Sequence, residues 1–562
     1  MSLFGTIQQS AGALNAAQIG LQVVGNNIAN ANTPGYIRQN LEQVASVAVR
    51  EGGLIKGTGV RPTGIVQVID QQLAERMFNA KTDLAGSEAL DKAYGQLEEL
   101  TNDLNNEGLN QQFTLFNNAL HELSTQPNDG SLRDFVILQA DTLANNINQS
   151  RDMAIDRREL WNGDLDQIAN DINRLTESIA KLNLEIATVE GGGVLHSDAT
   201  GLRDQRYRDL EELSEYVNLN FQEQESGSIA VFVGGDYLVS NGNYREVKSA
   251  YSSEKGSNEI RIVETDSPLL ATRGLLGATN EVVGSVFGDY IDSIDAMASS
   301  LIRSVNEVHS QGQGRRGYDS LLSTVKSNTG VPLVDADLAW TPSNGTFDMS
   351  IVDESGAVIS DHRINVRMLG QVTDSTVQSI VADINAIDGL TANVTREGRI
   401  EILSDSPTAQ FVFGEDTSGF VAAAGINTFF TGRNGGDIAV NSVLKENADF
   451  LAISENGISE DTNTLTNLID LVDKPLDNLG GQSVRQTYER SVSGLGQKIS
   501  LQGSSSEGLR NFYATLQSQH LAITGVNIDE ESIKMISYQR AFQASSRVIS
   551  TAAEMLDLLV NL

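Results

Sequence analysis

Read at a spacing of seven, the start of the chain puts Ile7, Leu14, Leu21 and Ile28 on one stripe, with Leu3, Ala17 and Val24 beside it. The far end repeats the pattern with Ile528, Met535, Phe542, Ile549 and Leu556, accompanied by Tyr538, Ala552 and Leu559. Apolar positions recurring at this period predict two terminal helices, each presenting a seam to other helices. Small residues between the stripes, among them Ala11, Ala16, Ala17, Ala541, Ala544, Ala552 and Ala553, permit close approach. Asn527 is placed to cap the last helix, and Glu530 with its neighbouring acids suits the positive end of the helix dipole. The first helix has to stop before Pro34, which biases Thr33 away from helical geometry, and Pro34-Gly35 fits the centre of a type II turn.

Between the ends the period changes several times. Val44 to Val49 and Ile65 to Ile69 read as strands around the glycine-rich GGLIKGTG, an extended hairpin or long loop. Long amphipathic segments then run to about residue 189, with Leu165, Ile168, Ile172, Leu175, Ile179, Leu182, Ile186 and Val189 in a 3-4 alternation that Gly191, Gly192 and Gly193 end. Ile229, Val231 and Val233 alternate before Gly234-Gly235, and Asn241-Gly242 signals a tight turn. Residues 280 to 310 return to helical spacing. A second β-rich region follows to about 445, with Phe347, Met349 and Ile351 alternating and one helix over Val377, Ile380, Val381 and Ile384. Helical spacing resumes from 460 to 525.

The expected fold is multidomain α+β, a discontinuous helical core built from both chain ends with β-rich domains inserted mid-chain. Residues 1–70 pair with 526–562. A helical bundle covers 71–190 and is continued by 276–312 and 446–525. A small β-containing insertion spans 191–275, and an outer β-rich domain spans 313–445.

Charge sharpens this picture. The chain of 562 residues carries 39 Lys+Arg against 74 Asp+Glu, a net charge of -35, and no cysteine. No charged residue or histidine occurs before Arg38, and the stretch between residue 50 and residue 526 holds nearly all of the excess. An acidic chain is repelled by phosphate backbones and anionic membranes, so no nucleic acid partner and no membrane insertion are expected. Nine Gln or Asn residues break every apolar run before Arg38, which argues against a cleaved signal peptide or a spanning helix there.

Catalytic motifs are formal matches only. Gly312, Gly314 and Gly317 fit a dinucleotide fingerprint, but the strand before and the helix after are missing, so an interdomain loop is expected. His121-Glu122 starts a zinc-protease pattern whose second histidine is replaced by Thr125. His196, Ser197 and Asp198 are the residue types of a triad, yet being consecutive they cannot be oriented as one. No enzyme activity, catalytic residue, metal or cofactor is expected.

NNIANANTPGYIRQ at 26–39 resembles the N-terminal signature of the bacterial flagellar rod, hook and hook-associated axial proteins. GVNIDEESIKMISYQRAFQASSRVISTAAEMLDLLVNL at 525–562 resembles their C-terminal signature. RDQRYRDLEEL at 203–213 and NEVHSQG at 306–312 are most similar to the hook-associated members that join hook to filament. That resemblance implies a structural subunit of the flagellum at the hook-filament junction, with another axial subunit, hook or distal rod protein, as the alternative. It implies secretion through the flagellar type III system without a cleaved signal, an extracellular place, and assembly into a ring through terminal coiled coils. The partners implied are further copies of the chain, hook protein, the second junction protein on the filament side, an export chaperone of the FlgN type and the export apparatus. Ile7, Leu14, Leu21, Ile28, Ile528, Met535, Phe542, Ile549 and Leu556 would then be assembly contacts, and Asn32, Pro34 and Gly35 would set the turn.

Overall fold

The computed structural model describes residues 3–51, 53–101, 108–191, 198–371, 373–471, 474–475 and 481–560. His196, Ser197, Gly192, Gly193 and the last two residues of the C-terminal signature lie outside the described residues. The chain opens with helix α1 (Leu3–Ala29), strands β1 (Gln39–Ala45), β2 (Val49–Glu51), β3 (Leu54–Lys56) and β4 (Val60–Gln67). Helices α2 (Gln71–Thr101), α3 (Leu109–Thr125), α4 (Gly130–Glu190) and α5 (Thr200–Tyr216) come next. Six strands follow: β5 (Leu219–Glu223), β6 (Ile229–Val233), β7 (Asp236–Ser240), β8 (Asn243–Tyr244), β9 (Val247–Ser252) and β10 (Ser257–Ile262). Helices α6 (Gly274–Glu281) and α7 (Phe287–His309) are joined by a π-helical turn at Val282–Val286.

The second β-rich stretch holds β11 (Ser320–Leu322), β12 (Gly345–Asp353), β13 (Val358–Val366), α8 (Val377–Asn385), β14 (Leu390–Val394), β15 (Ile400–Ser404) and β16 (Ala409–Asp416). Short pieces α9 (Phe420–Ala423), β17 (Phe430–Thr431), β18 (Ala439–Val440) and α10 (Ser442–Glu446) lead to α11 (Asn463–Leu471), α12 (Val484–Thr524) and α13 (Ile528–Val560). The chain is thus helical at both ends with sheets between, as the changes of period require.

Contacts divide it into two compact units, residues 1–93, 159–284 and 500–562 in one and 94–158 and 285–499 in the other. The expected helical bundle is shared between them.

In the first unit the core is built where Leu165, Ile168, Ile172, Leu175 and Ile179 of α4 meet Leu210 and Leu213 of α5 and the inward residues of β6 and β10. The antiparallel sheet runs β5-β6-β7-β8. Positive φ at Gly234, Gly235 and Asn241 supplies the tight turns on either side of β7. The alternation in α4 is buried throughout except at its last member, Val189, which is exposed.

Helix α5 turns Tyr207, Leu210 and Leu213 to this core and is otherwise rich in charge. Its side chains reach outward to several elements. Arg203 pairs with Glu190 (2.7 Å) and Glu223 (2.6 Å). Buried Arg206 donates to Asn183 Oδ1 and the Gly227 carbonyl, and burial pulls its pKa down to about 10. Asp209 accepts from Ser178, and Glu211 accepts from Tyr513 of α12.

The second unit contains the outer β-rich domain, with sheets ordered β13-β12-β16 and β11-β15-β14. Phe347, Phe411, Phe413 and Phe420 fill its core against Val377, Ile380 and Ile384 of α8. Thr376 and Ser379 cap α8 reciprocally.

The NEVHSQG stretch ends α7 in a buried polar knot. Asn306 Oδ1 accepts the N–H groups of Phe429 and Phe430, and its amide donates to the Phe430 carbonyl. Asn427, at φ 49°, donates to the Ser310 and Gly312 carbonyls and accepts from Tyr318. His309 Nε2 accepts the Ala452 N–H at 3.0 Å, so its proton sits on Nδ1 and is donated to the Asn427 carbonyl at 2.9 Å. Burial holds this imidazole neutral, with its pKa pushed down to about 4.

Candidate assembly surface at the paired chain ends

Helices α1 and α13 lie side by side and antiparallel. Asn27 donates to Glu531 at 2.9 Å, and Gly20 sits so close to Tyr538 that a Cβ there would be 2.6 Å from the ring. The face of α1 that is buried consists of Ser10, Ala16, Ala17, Gly20, Val23, Val24 and Asn27. It is a face of small residues, offset from the stripe of Ile7, Leu14, Leu21 and Ile28, which stays half-buried. Close approach of two helices selects small side chains at the contact, and the larger ones are left on its flank.

On α13 only Glu531 and Ala552 are buried. Met535, Phe542, Ile549 and Leu556 are half-buried, and Ile528 is exposed. Ile533, Ile536, Met555, Leu558, Leu559 and Val560 are exposed as well. Asn527 caps the helix as its position suggests, accepting from the N–H of Asp529 and of Glu530. The Glu530 carboxylate reaches Arg38 at 3.1 Å.

The turn after α1 has the expected centre: the Tyr36 N–H returns to the Thr33 carbonyl, and Gly35 takes φ 72°. Arg208 of α5 clasps it, donating to the Pro34 carbonyl at 3.1 Å, and a Cβ on Gly35 would meet Arg208 Cδ at 2.5 Å. Asn32 is exposed beside it.

Strands β1 and β4 form an antiparallel ribbon along α1, with Val60 against Gly12 and Gly59 against Gln9. A polar network joins ribbon, turn and helices. Asn27 Oδ1 accepts from Tyr36 Oη (2.8 Å) and the Gln39 N–H (3.0 Å), while Nδ2 also donates to the Gln39 carbonyl (2.9 Å). Gln39 donates to Thr200, and Gln67 donates to Asp204, both residues of α5. Burial pushes the Asp204 carboxyl up to about 6, against the opposing hydrogen bonds from Gln67 and the Ile37 N–H. Asp198, the described member of the His-Ser-Asp run, accepts the Gln67 N–H and serves this same joint. Sequence periodicity points to Tyr538 and misses Gly20, Asn27 and Glu531. Their signal is an amide and an acid at positions where a seam wants apolar residues.

The remaining candidate chemistry disperses. Gly312, Gly314 and Gly317 lie in a tightly packed loop, where a Cβ on Gly314 would strike the Asp449 carbonyl. His121 and Glu122 are exposed on α3. Among the described residues, no group of three or more His, Asp or Glu is placed to hold a metal, and no helix is long and apolar enough to cross a membrane.

Comparison with known proteins agrees with the two ends and the middle separately. A family model described as flagella basal body rod protein matches residues 7–36. One for the flagellar hook-associated protein FlgK helical domain matches 94–320, and one for the flagellar basal body rod FlgEFG protein C-terminal region matches 517–562. Flagellar hook-associated protein 1 of Escherichia coli (strain K12) is 23% identical over 582 residues, covering 99% of each chain. The protein of that name from Bacillus subtilis (strain 168) is 25% identical over 573 residues, covering 100% of this chain and 98% of its own. The solved structure of the flagellar hook junction protein FlgK from Burkholderia pseudomallei shares the fold at a TM-score of 0.50 and 16% identity, over 80% of this chain and 100% of that one. Relatives matched from end to end, and flagellar family models met in order along the chain, show that it belongs to the flagellar hook-associated protein 1 family, a structural subunit of the flagellar axis.

Proposed function

We propose that the chain joins the flagellar hook to the filament, as a ring of copies held together through α1 and α13. The observation that carries this reading is a 33-residue helix, α13, with two buried residues and an exposed apolar surface that its own chain leaves uncovered. Apolar surface on this scale, on a helix carrying a heptad seam, marks an association face. The half-buried Ile7, Leu14, Leu21 and Ile28 extend that face along α1. The junction function accords with the names of the relatives, and the wet, acidic middle of the chain suits domains that face solvent. The finer division that goes with this reading is a terminal pair, a helical bundle, a small insertion and an outer domain.

Export proceeds through the flagellar type III channel, with a FlgN-type chaperone holding the chain beforehand, and hook protein and the second junction protein flank it afterwards. Deleting residues 541–562 from the chromosomal copy tests the reading. The expected result is loss of swimming with flagellin shed into the medium. Normal filaments after that deletion would overturn it, and absence of the hook itself would point to a hook or distal rod subunit.

A further inference from the structure

The apolar stripes that flank the contact on α1 and α13 repeat every seven residues, so sliding one helix past the other by seven restores the same match along that flank. Periodicity therefore cannot choose between registers. We propose that two contacts do, Asn27 with Glu531 and Gly20 with Tyr538, acting as the register-determining residues of the terminal helix pair.

The two contacts are themselves seven residues apart on both helices. Sliding α13 one way sets Glu531 against Gly20, which has no side chain to donate. The same slide drives Tyr538 onto Ala13, whose methyl stands where Gly20 leaves room for the ring; a Cβ at Gly20 would already be 2.6 Å from it. Sliding it the other way sets Tyr538 on Asn27 and moves Glu531 past the end of α1. Either shift strips the amide donor from a carboxylate that has 0% exposure. A hydrogen bond lost from a buried carboxylate, with no water to replace the donor, is a costly defect even while its ion pair persists.

Lys534 does not alter this. It pairs with Glu531 at 2.7 Å from the same helix, so it travels with the carboxylate in every register. Asn27 discriminates because it is held in place. It is fully buried, and its amide is fixed by Tyr36, by the Gln39 N–H and by the Gln39 carbonyl before Glu531 arrives. A single buried polar contact setting the register of a helix pair is a well-attested use of such groups. The sequence signatures at 26–39 and 525–562 then occur together because they are two halves of one joint.

The chain has no cysteine, so introduced pairs report register directly. Seven-residue steps from the two contacts place residue 13 opposite 545 and residue 6 opposite 552. In the full chain, Ala13→Cys with Ser545→Cys should form a disulfide under mild oxidation. The shifted pairs, Ala13→Cys with Ala552→Cys and Thr6→Cys with Ser545→Cys, should do so less by a factor on the order of a hundred. Adding Asn27→Leu, Glu531→Leu and Tyr538→Leu together should bring a shifted pair to comparable yield. Persistence of the native preference in that variant would overturn the proposal, as would failure of the native pair to cross-link in the parent chain. Should the triple variant lose its terminal helices, a milder series decides. Asn27→Asp should lower the native cross-link at neutral pH, and adding Glu531→Gln should restore it in part. An unchanged yield in the first, or no recovery in the second, counts against register control.

Discussion

The outer β-rich domain and the terminal helix pair use their apolar residues in opposite ways. In the domain, Phe347, Phe411, Phe413 and Phe420 are sealed among their own chain's side chains, and helix α8 there carries a capping box. In the pair, the residues buried on α1 are small ones such as Ala16, Ala17 and Gly20 with one amide, while Phe542, Ile549 and Leu556 stay half open. The domain is finished by its own sequence. The pair is specified by its own sequence but left with surface to spare, which is what a subunit needs if its stability and its association are to be tuned separately.

The sharpest way to break this contrast is to make one substitution in both places. Phe411→Ala should destabilise the outer domain by about 3–5 kcal/mol, read as a loss of denaturant midpoint. Phe542→Ala in the isolated chain should cost about 1 kcal/mol or less, because a half-exposed ring leaves no closed cavity. Equal losses would mean that α13 is already completed within one chain.

Acid should separate the two units that hold these regions. His309 titrates at about 4 in the fold against an ordinary value of 6.5, so the stability that its neutral form confers is whole above pH 6.5 and is lost as pH falls toward 4. This contribution is on the order of 3 kcal/mol, and His309→Leu should flatten that part of the pH profile even though it lowers stability overall. Asp204 behaves in the opposite sense. Its carboxyl is raised to about 6, so protonation favours the folded state, and stability falls as pH rises from below 3.8 through 6. Asp204→Asn should remove that fall from the melting of the unit that holds the chain ends.

Smaller effects sharpen the description of the joint. Gly35→Ala should cost about 1–2 kcal/mol, since the residue holds φ 72° and would press on Arg208; adding Arg208→Ala should recover only the steric part. Asn527→Ala should cost about 1 kcal/mol through loss of the α13 cap, visible as faster amide exchange over the first turn.

How far these features can be read in advance follows from what makes them. The seam of α13 is legible because large apolar residues recurring at one period specify a helix stripe and little else. The long run in α4 and the alternating β6 and β12 are legible for the same reason. Helix α5 is not, because Arg203, Arg206, Asp209 and Glu211 find their partners on α4, β5 and α12, and such pairings leave no periodic trace. The face of α1 buried within the chain is not legible either, since the Ile and Leu stripe outweighs Ala and Gly on any hydrophobic reading. Glu531 reads as one more acid in a first turn. Its meaning depends on Asn27, and nothing local to either residue announces the other. Residues 280–310 are helical as expected, but the helical run starts earlier, at Gly274, and carries a π turn at Val282–Val286 that the spacing of Val283 and Phe287 does not betray.

The Asn27–Glu531 bond closes a loop of 504 residues. At a translation speed of roughly 5–20 residues per second, Glu531 leaves the ribosome about 25–100 s after Asn27. Throughout that time the site on α1 has no match, and a chain cut short anywhere in between never supplies one. The joint therefore doubles as a check on synthesis: only a chain made at least as far as Glu531 can close the site on α1.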